Sequence, residues 1–193
     1  MVAGPRARLI ANAITSVQEH GVHGTGLSEL LERSETSHSS LYRHFPLGKE
    51  GLVETAARTM SRVGYSHVSR LADALAGASS LEGWLDELFV FWRQPLESSD
   101  YRAGSFMMGV ALYELDLDVQ SAAGRAFTEW TARLADGFIA VGIDRTAACS
   151  LAGFLLSAIE GAVVQSRALK SSHPFDDSRA QLAALIRCHL PPS

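Results

Sequence analysis

Cysteine is nearly absent: Cys149 and Cys188 are the only two in 193 residues. That is too few for a disulfide framework and fits a reducing cytoplasm. The opening residues hold no basic stretch followed by an apolar run, so no secretory signal is expected. No alternation of apolar and polar residues persists beyond a few positions, which argues against a sheet. Glycine-rich phosphate loops, a nucleophile elbow and paired metal-ligand spacings are missing as well. No catalytic residue, cofactor or metal is therefore expected; His20 and His23 straddle Gly21, which separates them. Lysine is confined to Lys49 and Lys170, and the formal charge is −4. One apolar run, Ala147–Val164, approaches membrane-spanning length. It contains Glu160, Ser150 and Ser157 and lacks charged residues marking two interfaces, so a buried helix is expected and a membrane partner is not.

What is present is alanine and aliphatic residues at helical spacing. The chain reads as an all-α protein of about nine helices. Pro5 suits a first helical turn; that helix runs to His20, with Gly21 as terminator and Ile10, Ala13, Ile14 and Val17 as its core stripe. A second helix covers Leu27–Arg33 with Thr25 as its cap. A third opens at Ser37 and runs through Phe45. A long fourth helix, 49–76, carries Leu52, Val53, Ala56, Met60, Val63, Val68, Leu71 and Leu75. Ser80 caps a fifth over Leu81–Gln94, which Pro95 bends or ends. The sixth covers Ser105–Leu115. Asp118 caps a seventh whose face holds Val119, Ala123, Phe127, Trp130, Leu134 and Phe138. Asp144 caps the eighth, to about Ala168, and the ninth ends near Leu190.

The stretch 25–50 carries the strongest functional signal. A helix that opens on short polar side chains has little to bury at that end, so its first turn is free to enter a DNA groove, as the second helix of a helix-turn-helix does. Ser37, His38, Ser39 and Ser40 are the candidate base or phosphate contacts. The plainer alternative is that the serines only cap the helix. Lys49, at the start of the fourth helix, suits a phosphate oxygen; Thr25 both caps a helix and is placed to offer a phosphate contact; Arg43 faces either DNA or solvent. Residues 1–49 hold five bases and four acids, net +1, against −5 for the remainder. Phosphate neutralisation supplies much of DNA affinity, so one copy should bind weakly and two are needed.

Large rings concentrate in the rest of the chain. Phe89, Trp92, Phe106, Met107, Val110, Tyr113, Phe127, Trp130 and Phe154 are candidates to line a pocket for a small hydrophobic, aromatic effector, with Glu160 as its polar group. Each ring or aliphatic taken singly reads better as core, and Glu160 reads equally well as a buried helix–helix hydrogen bond.

Thr25, Leu30-Leu31, Leu41-Tyr42-Arg43-His44-Phe45 and Lys49-Glu50 together resemble the TetR family of transcriptional regulators. The form His44-Phe45-Pro46-Leu47-Gly48-Lys49-Glu50 is similar to its LmrA/YxaF-type subgroup. So is the segment from Gly104 to Arg167, with Trp130, Leu134-Ala135, Val141-Gly142-Ile143 and Glu160–Ala168. Two positions depart from the pattern: Glu35 stands where the turn usually has glycine, and Ser39 where the recognition helix often does. The resemblance implies an N-terminal helix-turn-helix domain, 1–50, and a C-terminal effector-binding and dimerisation domain, 51–193. It implies phosphate contacts from the Tyr42 hydroxyl and the His44 imidazole. It also implies a cytoplasmic homodimer, paired through the last two helices (Leu151, Leu155, Ile159, Leu182 and Ile186), that represses from pseudo-palindromic operator DNA. The alternative is a helical small-molecule-binding or interaction protein that does not bind DNA.

Overall fold

Proline at the first position and a glycine that no other residue replaces easily set the bounds of the first element. In the computed structural model, which describes residues 4–113 and 117–191 and the side chains of 4–113 and 121–191, α1 spans Pro5–Gly24. Gly21, at φ 70 and ψ 174, breaks its helical geometry, so the chain leaves the helix where the sequence indicates. The buried stripe is Leu9, Ala13, Ser16 and Val17, one position out of phase with the expectation at Ile10 and Ile14, which are half-buried.

The following helices are α2 (Leu27–Arg33), α3 (His38–His44), α4 (Lys49–Ala74), α5 (Leu81–Ser98), α6 (Phe106–Ala111), α7 (Leu117–Ala140), α8 (Arg145–Leu169) and α9 (His173–His189). No strand occurs among the described residues. Besides α3, three helix starts are fixed by side chains accepting from orphan backbone N–H groups. Ser80 Oγ accepts from Gly83 N at 3.0 Å, Ser105 Oγ from Met108 N at 3.3 Å, and Asp144 Oδ1 from Thr146 N at 2.8 Å. The expected cap at Asp118 falls among side chains outside the described residues, as does Val119. Leu115, the expected end of α6, lies outside them too; the observed helix ends at Ala111.

Pro95 does not end α5, which continues one further turn to Ser98. A proline removes one N–H and crowds the preceding turn. Here Leu96, 1% exposed, anchors the extra turn in the core. Ser99 secures its end, donating to Leu96 O at 2.9 Å and accepting from Ala103 N at 2.8 Å.

Contacts divide the chain into two compact units. One is residues 1–62 with 105–125; the other is 63–104 with 126–193. The division differs from a single cut at residue 50 because α6 returns to pack on α1. They approach closely at Gly109, where a Cβ would lie 3.2 Å from Val17 Cγ1. In the first unit α2 and α3 also pack on α1, and Leu30, Leu31, Leu41, Phe45, Leu52, Val53, Ala56 and Ala57 are buried. In the second, α9 packs on α8 and α5, over a core that includes Trp84, Leu88, Trp130, Phe138, Leu155, Ile159 and Ile186. The buried stripe of α4 runs through Gly64, Val68 and Leu71, which leaves Val63, expected inside, half exposed. By length and composition α8 is apolar enough to cross a membrane, but half of its most apolar stretch is buried inside the chain.

Candidate nucleic-acid interface

The turn between α2 and α3 is built around a residue in an unusual conformation. Glu35 has φ 48, the left-handed region that side chains with a Cβ enter at a cost. Glu35 N donates to Glu32 O and Thr36 N to Leu31 O, both at 3.0 Å. This pair of bonds satisfies the last carbonyls of α2 in the Schellman arrangement, in which glycine normally holds the left-handed position. Side chains from α1 complete it. Arg8 Nε donates to Ser34 O at 2.8 Å and Nη2 to Glu35 O at 3.1 Å, while Asn12 Nδ2 donates to Arg33 O at 3.1 Å.

The recognition helix α3 then starts with Ser37, whose Oγ accepts from Ser40 N at 3.2 Å and lies 3.0 Å from Ser39 Oγ. Ser37 is therefore a cap, and it is also exposed; the two readings of these serines are not exclusive. Ser37, His38, Ser39 and Arg43 are exposed and Ser40 is half-buried, while Leu41 behind them is fully buried. The surface offers hydroxyls, one imidazole and one guanidinium. Only Arg43 has the bidentate fork that reads guanine strongly.

Tyr42 is 52% exposed and its ring lies over the backbone of Gly48, where a Cβ would sit 3.1 Å from Tyr42 Cε1. Gly48 also has φ 63, so this glycine is required twice over, by its conformation and by the ring across it. The arrangement leaves the Tyr42 hydroxyl free to act beyond a packed ring. Lys49 opens α4 half-buried, and desolvation lowers its pKa from the ordinary lysine value.

Two expected contacts are not presented. Thr25 is 1% exposed and its hydroxyl donates to Gly21 O at 2.8 Å. It therefore neither caps α2, whose cap position is Gly26, nor faces a phosphate. His44 buries its Nε2, which has no hydrogen-bond partner among the described residues, so that nitrogen is not on the surface. Conversely, sequence reasoning missed Arg6, whose guanidinium lies 5.4 Å from the Phe45 ring centroid, and Leu47, 71% exposed in the turn before α4. It also missed Arg8 and Asn12. Their spacing of four residues put them on one helical face, but only the folded chain reveals what that face meets.

The second unit brings four of the expected effector residues together. Trp92 and Trp130 meet edge to face at 5.9 Å, Phe127 meets Trp130 at 6.0 Å, and Trp92 Nε1 donates to Glu160 Oε1 at 3.1 Å. Phe91 and His67 join them: Phe91 lies 4.8 Å from Trp92 and 6.0 Å from Trp130, and His67 stacks on Phe91 at 5.5 Å. His67 Nε2 donates to Leu88 O at 2.9 Å. Burial, reinforced by the Arg70 charge, lowers its pKa, against the pull of the Leu88 carbonyl. Phe89 turns instead to Phe175 of α9, at 5.7 Å. Phe106, Met107, Val110 and Tyr113 are buried in the first unit, Tyr113 with its ring 4.9 Å from His23.

Phe154, expected to line the effector pocket, is 53% exposed. It lines an open hollow of about 520 Å³ with Asp144, Ala147, Ser150, Leu185 and His189. Leu151, Leu155, Ile159, Leu182 and Ile186, expected to meet a second copy, are 4% exposed or less and belong to the chain's own core. A helix buried on one side presents its larger aliphatics inward, and α8 turns mainly small residues outward.

A polar-tipped seven-residue helix, held out by a three-helix core and followed by a helical body, defines a helix-turn-helix regulator. The N-terminal model of bacterial regulatory proteins of the tetR family matches residues 9–56. The model of the C-terminal domain of LmrA/YxaF-like transcriptional regulators matches residues 83–181. An uncharacterized HTH-type transcriptional regulator of Mycobacterium tuberculosis is 32% identical over 195 residues, covering 97% of each chain. The HTH-type transcriptional regulator LmrA of Bacillus subtilis is 25% identical over 171 residues, 88% of this chain and 90% of its own. Among solved structures, a TetR regulator from Legionella pneumophila superimposes with a TM-score of 0.79 at 18% identity, covering 94% of this chain and 96% of its own. The reduced form of NemR from Escherichia coli superimposes with a TM-score of 0.75 at 19% identity, covering 94% and 97%. The chain belongs to the TetR family of DNA-binding transcriptional regulators, with an LmrA/YxaF-like C-terminal domain.

Proposed function

We propose that the chain is an effector-responsive repressor that binds a pseudo-palindromic operator as a homodimer. The observation that carries this reading is the exposed polar surface of α3, Ser37 to Arg43, over a fully buried Leu41. Ser39, Ser40 and His38 enter the major groove, and Arg43, Tyr42 and Lys49 hold the flanking backbone. Two copies close over the outer faces of α8 and α9. Ala147, Ser150, Phe154, Ser157, Gly161, Val164 and Ala168 recur at alternating steps of three and four, the spacing of a helix–helix seam. All seven are exposed or half-buried. The effector is a small hydrophobic molecule that inserts beside Trp92, Phe127 and Trp130 and engages Glu160. It favours a second arrangement of the dimer with lower operator affinity.

Fluorescence anisotropy on duplex DNA from upstream of the coding sequence tests the first half of the reading. Specific, salt-sensitive binding by a dimer supports it; binding no tighter than to random duplex, or binding by a monomer, overturns it. Quenching of tryptophan emission by a flat aromatic probe, with loss of DNA binding at the same probe concentration, tests the second half. Quenching that leaves the DNA complex intact overturns that half.

A further inference from the structure

We propose that Arg8 and Asn12 are positioning residues for the recognition helix: α1 clamps the left-handed turn at Glu35 and so sets the pose of α3. The inference rests on the DNA-binding reading above and adds to it a part that touches no DNA.

Three successive carbonyls, those of Arg33, Ser34 and Glu35, are held by two side chains one helical turn apart on α1. Asn12 Nδ2 also lies 3.2 Å from Ser34 Oγ, and Ser34 is fully buried. A guanidinium at this place is doubly favoured. It fills acceptors that the end of α2 leaves open, and its charge opposes the partial negative charge of that helix end. The need for it follows from Glu35. With φ 48 and a Cβ, this residue holds a conformation that an unrestrained turn would tend to leave. Both α2 and α3 are only seven residues long, so neither maintains itself by its own hydrogen bonds. The turn geometry passes directly into where Ser39 and Arg43 point. Glycine at the left-handed position would hold that turn without help; this chain has glutamate there and a clamp instead.

An arginine near DNA invites the rival reading that Arg8 contacts phosphate. Salt dependence separates the two, because removing a phosphate contact lowers the slope of log affinity against log salt by about one per head, whereas removing a positioning residue leaves it unchanged. The duplex is the one that the wild-type chain enriches from a random-sequence library, with random duplex as reference. Arg8→Ala is expected to weaken binding about 10-fold or more with the salt slope unchanged. The same change made with Glu35→Gly is expected to cost less than about 3-fold relative to Glu35→Gly alone. Glu35→Gln, which removes the charge and keeps the Cβ, is expected to give no such rescue. Should Arg8→Ala lose its helical circular dichroism, the cycle is run with Asn12→Ala, for which a smaller effect of the same pattern is expected.

Amide hydrogen exchange over residues 34–40 of the free protein gives a second readout that needs no DNA. Faster exchange in Arg8→Ala, restored by Glu35→Gly, supports the clamp even if operator binding fails. A salt slope reduced by one per head, or an Arg8→Ala penalty that is the same size in the Glu35→Gly background, overturns it.

Discussion

Replacing Gly64 with alanine makes the sharpest demand on the second unit. The position lies within α4, where alanine would ordinarily stabilise a helix by about 1 kcal/mol. Here the added Cβ would sit 2.2 Å from Cζ2 of Trp130, 2.7 Å from Cη2 and 2.8 Å from Cε2. Closest ordinary contact begins near 3.4 Å, so the indole must withdraw by about 1.2 Å. It has little room, because Trp130 is 1% exposed and meets the rings of Phe91, Trp92 and Phe127 at 5.9–6.0 Å. Overpacking a rigid core typically costs about 1–3 kcal/mol, and a flat ring confined by three others belongs at the upper end. After the helix gain, a net loss of about 1–2 kcal/mol remains. For a chain of this size that lowers Tm by about 2–8 °C, since each kcal/mol shifts it by about 2–4 °C.

The assay is thermal unfolding followed by circular dichroism at one fixed chain concentration, with tryptophan emission recorded on the folded state. Gly124→Ala in α7 serves as the reference, because nothing lies within 4 Å of a Cβ there; its Tm should rise. If Gly64→Ala also raises Tm and leaves the emission spectrum unchanged, the packing argument for this ring cluster is wrong.

Three further outcomes are expected. Lys49→Ala should weaken binding to specific and random duplexes alike and lower the salt slope by about one per head, measured by anisotropy across a salt series; a loss confined to one sequence would contradict a phosphate contact. Phe154→Glu should leave the fold intact, since the side chain is 53% exposed in the single chain, yet convert a dimer to a monomer in light scattering after size exclusion. An unchanged dimer would place the interface elsewhere. His67 has a folded pKa below its ordinary 6.5, so the unfolded chain binds the proton more readily and stability must fall as pH drops through about 6.5, levelling below the folded pKa. Melting between pH 8 and pH 5 should show a shallower decline in His67→Phe than in the wild type, and a steeper one would refute the sign.

Much of this protein was readable from residue order. The caps Ser37, Ser80 and Asp144 and the break at Gly21 are local chemistry. Each concerns a backbone group and a side chain within four positions, so helix starts followed from sequence. The polar opening of α3 and the Leu41–Phe45 exit located that helix's exposed polar face for the same reason. Pro95, expected to bend or end α5, does not end it, and Leu96 in the following turn is buried.

Where two distant segments had to meet, sequence periodicity named a stripe but not its partner. Leu151, Leu155 and Ile159 fit a seam and turned out to be core, while Phe154, one position out of phase, faces outward. Glu35 departs from the glycine usual in the turn, and the carbonyls of Arg33, Ser34 and Glu35 are held by Arg8 and Asn12, more than twenty residues earlier in the chain. Residue order determined which segments are helices and which helix end is polar, because those depend on hydrogen bonds and spacing within a turn or two. Only the tertiary structure decided which apolar face is core and what steadies a strained glutamate, because those depend on which surface the rest of the chain removes from water.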